Sequence, residues 1–240
     1  MRFGFSLLLL AGCAGTWTPR PGFEYHIVST NEYDIATYRH IIDNKSPVHI
    51  YIEGDGHAFN AYGEPTSDPT PRGRMMRNLA MRDDAPNVVY MARPCQFIMS
   101  PACETTDWSD GRFSARIVDA MANAIKSVSK EQPVILVGYS GGGLLSGIII
   151  NRHPEIRVKG WITIAGVPNH SAWTKHFGDT PLTKSLDLNK LPNVPATHYI
   201  GARDHVVPPA LARKFFPASQ IVEISNADHD DFENININFD

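Results

Sequence analysis

The sequence predicts an α/β fold in which one mostly parallel sheet begins with an antiparallel hairpin and carries helices on both faces. Two strand-like segments near the N-terminus are joined by three turn residues, which is typical of a hairpin. Beyond them, apolar runs alternate with segments of helical spacing, the pattern that βαβ units give. The chain of 240 residues, 42% hydrophobic and 20% charged, is long enough to bury a core on both faces of such a sheet.

Each element has a local signal. A continuous apolar run at residues 133–137 is typical of a strand that is buried on both faces. Residues 114–128 repeat apolar side chains at helical spacing, which predicts an amphipathic helix. The predicted strands cover residues 25–29, 33–41, 48–52, 87–92, 133–137, 158–165, 196–200 and 220–224. The predicted helices cover residues 72–82, 114–128, 141–151 and 209–216.

The order of these elements also predicts where a ligand would bind. In a parallel sheet the ligand site lies at the carboxyl ends of the strands. Residues 167–195 form a longer insertion between two predicted strands, with little apolar periodicity, where a lid could cover this edge. We therefore expect a single domain over residues 23–240, preceded by a tether at residues 13–22.

The charge balance argues against one class of partner. The chain has 22 Lys and Arg residues against 25 Asp and Glu residues, a formal net charge of −3. A nucleic-acid-binding surface needs an excess of basic residues to neutralise phosphates. We therefore expect no nucleic-acid partner.

The motif that carries chemistry is Gly138-Tyr139-Ser140-Gly141-Gly142, which follows the run at 133–137 and precedes a predicted helix. A Gly-x-Ser-x-Gly sequence between a strand and a helix is the pattern of a nucleophile elbow. The tight turn raises the serine hydroxyl above the sheet edge, and the glycines leave room for the neighbouring strand and helix. The segment has neither the Lys-Ser/Thr ending of a phosphate-binding P-loop nor a dinucleotide-binding Gly-x-Gly-x-x-Gly. Ser140 is therefore predicted to be a nucleophile.

With this motif in this setting, the chain resembles the α/β-hydrolase superfamily over nearly all of residues 23–240. Members of that superfamily carry their catalytic residues in the chain order Ser, then Asp or Glu, then His. The resemblance assigns the acid to Asp204, which follows a late strand and stands shortly before Pro208. It assigns the base to His229, after the last strand. Asp204 would orient the imidazole, and His229 would take the proton of Ser140.

The same resemblance implies an oxyanion hole built from two backbone N–H groups. One belongs to Gly141, the residue after the nucleophile. The other comes from the segment Glu53-Gly54-Asp55-Gly56, which takes the place of the family's His-Gly-x motif. The alignment selects Asp55, with Gly54 and Gly56 as alternatives. An Asp side chain beside a forming oxyanion is unfavourable unless it points away.

The resemblance implies hydrolysis of a small-molecule or lipid acyl ester through an acyl-enzyme, with no cofactor and no metal. His205, His170 and His176 are alternative bases, but the first adjoins the acid and the others precede it, against the family order. The acidic loop at residues 228–231 could bind a cation, although its spacing matches no EF-hand. A non-catalytic surface binding protein on the same fold stays open, as do a peptidase, a thioesterase and an acyltransferase with the same triad.

The N-terminus is predicted to be a secretory signal. One basic residue precedes a short apolar stretch that is not long enough to cross a bilayer. Leu10-Ala11-Gly12-Cys13 resembles the lipobox of bacterial lipoproteins, which implies that residues 1–12 are removed and that Cys13 carries the lipid, including palmitate. Ala14 is not the Asp that signals inner-membrane retention, so the resemblance implies a lipid anchor in the outer membrane of a bacterial cell envelope. The alternatives are an ordinary cleaved signal peptide and a buried strand.

The two remaining cysteines are Cys95 and Cys103. In an exported protein they would meet an oxidising compartment, which favours a disulfide across this short loop, and two free thiols are the alternative. The pattern Arg93-Pro94-Cys95-Gln96, Cys103, Trp108 and Arg112-Phe113-Ser114 is weakly similar to short exported hydrolases. That similarity supports a structural disulfide near the site, with Trp108 packing the loop.

Overall fold

The computed structural model describes residues 17–239, in which eight strands form one sheet. The strands are β1 (Glu24–Ser29), β2 (Asp34–Ile41), β3 (Val48–Ile52), β4 (Asn87–Met91), β5 (Val134–Tyr139), β6 (Val158–Ile164), β7 (Ala196–Gly201) and β8 (Ile221–Ile224). Their order across the sheet is β1-β2-β4-β3-β5-β6-β7-β8. The β1/β2 and β2/β4 pairs are antiparallel, and all other pairs are parallel. The predicted fold class is therefore confirmed.

Helices cover both faces of this sheet. They are α1 (Met75–Arg82), α2 (Ala115–Ser129), α3 (Gly141–Arg152), α4 (His170–Phe177) and α5 (Pro209–Phe215). Alternate residues of β3 point to opposite faces, so Ile50 and Ile52 join the core beneath α2 and α3, whereas Tyr51 joins the core beneath α1. Burial on both sides explains why β3, β4 and β5 have continuous apolar sequences.

The insertion at residues 167–195 contains helix α4, which the sequence did not predict. The side chain of Asn169 caps this helix by accepting a hydrogen bond from the Ala172 N–H at 2.8 Å. The helix ends at Gly178, whose φ of +71° suits glycine. Only His170 and Thr174 of its eight residues are buried, and both are polar, so the helix has no apolar stripe that a periodicity search could detect.

The topology places the candidate chemistry at one edge of the sheet. Residues 53–56 follow β3, Arg93 follows β4, Ser140 follows β5, Asp204 follows β7 and His229 follows β8. All these strands are mutually parallel, so their carboxyl ends meet at the same edge. The predicted signal at residues 1–12 and Cys13 lie outside the described residues.

Candidate active site

Ser140 stands at a sharp turn between β5 and α3. Its φ of +50° and ψ of −121° lie in a region that L-amino acids seldom adopt. Hydrogen bonds hold this conformation: the Ser140 N–H donates to Ile164 O at 3.0 Å. The Ser140 carbonyl accepts from the N–H groups of Gly143 and Val167, each at 3.0 Å. The last of these bonds ties the start of the insertion to the peptide of Ser140.

The glycines beside Ser140 are required by close backbone contacts. A Cβ at Gly138 would overlap the carbonyl of Gly142, and a Cβ at Gly142 would overlap the carbonyl of Glu53. Helix α3 can therefore begin directly at Gly141 and lie close against β3 and β5 only because these positions lack side chains.

The structure brings Ser140, His229 and Asp204 together in one chain of hydrogen bonds. His229 Nε2 lies 3.1 Å from Ser140 Oγ, and His229 Nδ1 lies 2.9 Å from Asp204 Oδ2. An ionised carboxylate can only accept hydrogen bonds, so a neutral His229 carries its proton on Nδ1. The ring nitrogen Nε2 is then free to accept a hydrogen bond from the Ser140 hydroxyl.

Asp204 is fixed by its own loop. It is 3% exposed, and its Oδ1 accepts hydrogen bonds from the N–H groups of Val206 at 2.8 Å and Val207 at 2.7 Å. The other oxygen remains available to His229. The competing histidines lie elsewhere: His205 and His176 are exposed, and His170 stacks on Phe113 in the cleft wall.

The segment after β3 lies against the elbow, as a family oxyanion loop would. Glu53 is buried, accepting hydrogen bonds from the Tyr90 hydroxyl at 2.8 Å and from the Gly54 N–H at 3.0 Å. Burial raises the pKa of Glu53 more than these hydrogen bonds lower it. Within residues 17–239, the N–H groups of Asp55 and Gly141 have no hydrogen-bond partner.

The carboxylate of Asp55 is neutralised by two arginines. Oδ1 accepts a hydrogen bond from Arg93, and Oδ2 lies 3.2 Å from Arg112 Nε. Burial opposes ionisation of Asp55, but the attraction of Arg112 and Arg93 outweighs it and lowers its pKa. The carboxylate charge of Asp55, which lies beside Gly141, is therefore compensated within the protein.

Sequence reasoning missed roles for Arg93, Arg112 and Gln96. Arg93 follows the carboxyl end of β4, so the rule that ligand sites lie at the carboxyl ends of parallel strands could have pointed to it. Gln96 Nε2 donates to Gly54 O at 2.9 Å, and its Oε1 accepts from the Arg93 N–H at 3.0 Å. These contacts join the loop after β4 to the loop after β3.

Cys95 and Cys103 form a disulfide, with their Cα atoms 5.8 Å apart. The bridge closes the loop that carries Gln96, at one side of the site. Trp108, in a short 3₁₀ turn at Thr105–Trp108, is 7% exposed and donates from Nε1 to Thr66 O at 3.0 Å. Trp108 therefore packs this loop against the segment after β3.

A cleft of about 370 Å³ opens beside Ser140 and His229. Its walls are largely apolar and aromatic, with Arg72, Arg112 and His57 among the polar groups. Within the described part of the chain, no group of three or more His, Cys, Asp or Glu residues is arranged to hold a metal ion. No helix between residues 17 and 239 combines the length and apolar character that crossing a membrane requires.

The sheet topology and the elbow are those of the α/β-hydrolase superfamily. The serine hydrolase (FSH1) family matches residues 84–229, more than half of the sequence, and the chain belongs to this family. The protein is thus a serine hydrolase by family. A search of curated protein sequences found no match.

Solved structures show the same fold at low sequence identity. An alpha-beta serine hydrolase homologue from Coxiella burnetii aligns with a TM-score of 0.56 at 14% identity, covering 90% of this chain and 92% of that one. A serine hydrolase without lid from Xanthomonas campestris gives 0.54 at 12%, covering 88% and 87%. A membrane phospholipase A gives 0.57 at 16%, covering 88% and 81%. At these identities the likeness is one of fold.

Proposed function

We propose that the protein hydrolyses carboxylic esters through an acyl-enzyme, with Ser140 as nucleophile, His229 as general base and Asp204 as the acid that orients it. The observation that carries the proposal is the chain of hydrogen bonds from Asp204 Oδ2 through His229 to Ser140 Oγ, at 2.9 and 3.1 Å. Both distances are within the range in which a proton can pass directly between the heavy atoms.

In the first half of the reaction, Ser140 Oγ attacks the ester carbonyl carbon while His229 Nε2 takes the hydroxyl proton. The tetrahedral intermediate collapses, the carbon–oxygen bond to the alcohol breaks, and the imidazolium gives its proton to the leaving alcohol. In the second half, water attacks the acyl-enzyme, again losing a proton to His229, and the acid is released. Asp204 stays ionised throughout and stabilises the imidazolium.

The oxyanion of both intermediates is assigned to the N–H groups of Gly141 and Asp55. The absence of partners for these two groups among residues 17–239 supports the assignment. Gly54 is the weaker candidate, because its N–H already donates to Glu53. The loss of one such donor costs about 2.7–4 kcal/mol of barrier in other serine hydrolases.

A fluorophosphonate probe tests the nucleophile. The wild-type protein should be labelled covalently, Ser140→Ala should not, and the exposed control Ser219→Ala should be labelled as the wild type is. The hydrolytic rate of Ser140→Ala should fall by about 10⁴-fold or more. A folded wild-type protein that fails to react would favour the binding-protein alternative.

The leaving group and the acyl chain are tested by substrate series. Rates on p-nitrophenyl esters of increasing acyl length measure the depth of the cleft. Matched oxygen ester, thioester and amide substrates distinguish an esterase from a thioesterase or a peptidase. We expect the oxygen esters to give the highest kcat/KM.

We also propose that Cys13 is lipidated and anchors the domain to the outer membrane of a bacterial envelope. The support is the sequence pattern alone: a basic residue, a short apolar stretch and the lipobox-like Leu10-Ala11-Gly12-Cys13. Cys13→Ser should move the protein from the membrane fraction to the soluble fraction and abolish incorporation of labelled palmitate. A mature chain that lacks Cys13 by mass would refute the anchor while leaving the enzyme proposal intact.

A further inference from the structure

Arg112 lies in the cleft but has no part in the hydrolytic steps. Its side chain is 5% exposed, and it lines the cleft that also contains Ser140 and His229. Nε lies 3.2 Å from Asp55 Oδ2. No group among residues 17–239 accepts a hydrogen bond from the two terminal amino groups of Arg112. A nearly buried cation therefore offers donors that the protein itself does not use.

The carboxylates near Arg112 leave its terminal amino groups unpaired. Asp55 is one carboxylate shared between two guanidinium groups, those of Arg93 and Arg112. Glu53 gives one oxygen to the Tyr90 hydroxyl and the other to the Gly54 N–H, so it makes no ion pair with Arg112.

The other acidic side chains of the cleft form no ion pair with Arg112. Asp230, at the cleft wall, accepts a hydrogen bond from the Tyr139 hydroxyl. Asp110, in the outer groove that Arg112 also borders, accepts from the Thr183 hydroxyl at 2.9 Å. The exposed Arg72 adds a further positive charge to the wall. Asp55 is thus the one carboxylate that pairs with Arg112 among residues 17–239, and it approaches Nε rather than the terminal amino groups.

The surroundings of Arg112 would strengthen its attraction for an anion. Three aromatic rings surround the guanidinium, with their centroids 5.4 Å away for Phe59 and 5.8 Å away for both Phe113 and Trp173. They exclude water from its flanks, and a charge pair is stronger where water is excluded. The planar guanidinium matches the paired oxygens of a carboxylate or a phosphate.

We propose that Arg112 binds an anionic oxygen group of the substrate, a carboxylate or a phosphate, so that the preferred esters of this site are negatively charged. The inference rests on the proposed ester hydrolysis, because it assigns the substrate class of the same cleft. Arg112 is then a specificity-determining residue that touches substrate away from the reacting carbonyl.

The test compares p-nitrophenyl hydrogen glutarate with its methyl ester, in which one methyl group removes the negative charge. We expect the wild-type kcat/KM to be at least about tenfold higher on the charged ester. Arg112→Gln should remove that preference, and Arg112→Lys should retain part of it. Arg72→Gln, which removes an exposed arginine of the same cleft, should keep most of it.

A second measurement does not depend on turnover. Inorganic phosphate and glutarate should each slow fluorophosphonate labelling of the wild type but not of Arg112→Gln. Protection by phosphate alone would assign the subsite to phosphate, and protection by glutarate alone to carboxylate. A thermal melt of each variant identifies those that fail to fold. If Arg112→Gln does not fold, the charge preference and the protection measured on the wild type decide whether the inference stands.

Three results would overturn the inference: no charge preference in the wild type, a preference that survives Arg112→Gln, or an equal loss on both esters in that variant. The last would mean that Arg112 only holds Asp55 in place. Hydrolysis of the neutral ester without charge preference would remove the inference and leave the proposed function standing. An unlabelled and inactive wild-type protein would refute the proposed function itself, and the inference with it.

Discussion

The backbone of Ser140 shows how single residues are constrained at this site. A non-glycine residue at φ +50° costs of the order of 1–3 kcal/mol. Hydrogen bonds to Ile164, Gly143 and Val167 offset that cost, and they form only if Gly138 and Gly142 allow the strand and helix to approach. The Gly-x-Ser-x-Gly pattern could be read from the sequence because it encodes this local geometry.

Gly138→Ala tests the packing that supports the elbow. The new methyl group would overlap the carbonyl of Gly142, so we expect the free energy of unfolding to fall by more than about 2 kcal/mol. Activity should fall with it, because the shift moves Ser140. Gly73→Ala, where a Cβ meets open space, should change the free energy of unfolding by less than about 0.5 kcal/mol. Urea denaturation of both variants makes the comparison, and similar losses would contradict the explanation.

At the scale of elements, the loop after β4 holds the loop after β3. The disulfide of Cys95 and Cys103 closes the first loop, and Gln96 connects it to the Gly54 carbonyl. The sequence predicted both loops and the disulfide, but not this connection. Gln96 and Gly54 are 42 residues apart, and only the pairing of β3 with β4 brings their loops together.

Gln96→Ala should lower kcat more than it lowers stability. The substitution frees the Gly54 carbonyl and lets the adjacent Asp55 N–H move, so we expect kcat to fall about tenfold. Gln132→Ala is the matched control, because Gln132 Nε2 also donates to a carbonyl, that of Ser46 at 2.8 Å, far from the cleft. Steady-state kinetics and thermal melts of both variants separate the two effects. Equal changes in kcat would show that Gln96 has no positioning role.

At the scale of the whole molecule, the sequence predicted the fold and the chain order of the candidate triad because both follow from repeated local signals. Alternating strands and helices predict a parallel sheet, and such a sheet brings the carboxyl ends of its strands to one edge. The ion pairs of Asp55 with Arg93 and Arg112 could not be predicted in this way. They depend on how three separate loops pack, and no spacing in the sequence encodes it. Helix α4 was missed because its buried residues are polar.

The pH dependence of stability also belongs to the whole molecule. Burial of His198, which stacks on Phe216 and pairs with Thr163, lowers its pKa to about 3, against about 6.5 in the unfolded chain. Between these values the unfolded state binds more protons than the folded state, so stability is lost as the pH falls from 6.5 toward 3.

We expect His198→Gln to reduce the dependence of the free energy of unfolding on pH below 6.5, by up to about 1.4 kcal/mol per pH unit. His176→Gln, at an exposed position on α4, should leave the slope unchanged. Urea denaturation between pH 4 and pH 7 measures both slopes. Identical slopes for the wild type and His198→Gln would show that another group controls acid unfolding.

The hydrogen bond from the Val167 N–H to the Ser140 carbonyl has an evolutionary consequence. It ties the first residue of the insertion at residues 167–195 to the peptide of the candidate nucleophile, ahead of the coil and helix α4 that follow. Substitutions at His170 or Trp173, which line the cleft, could therefore change the ester preference while the Ser140 peptide keeps this hydrogen bond. We expect substrate preference to evolve through changes in this insertion while the elbow at Ser140 stays the same.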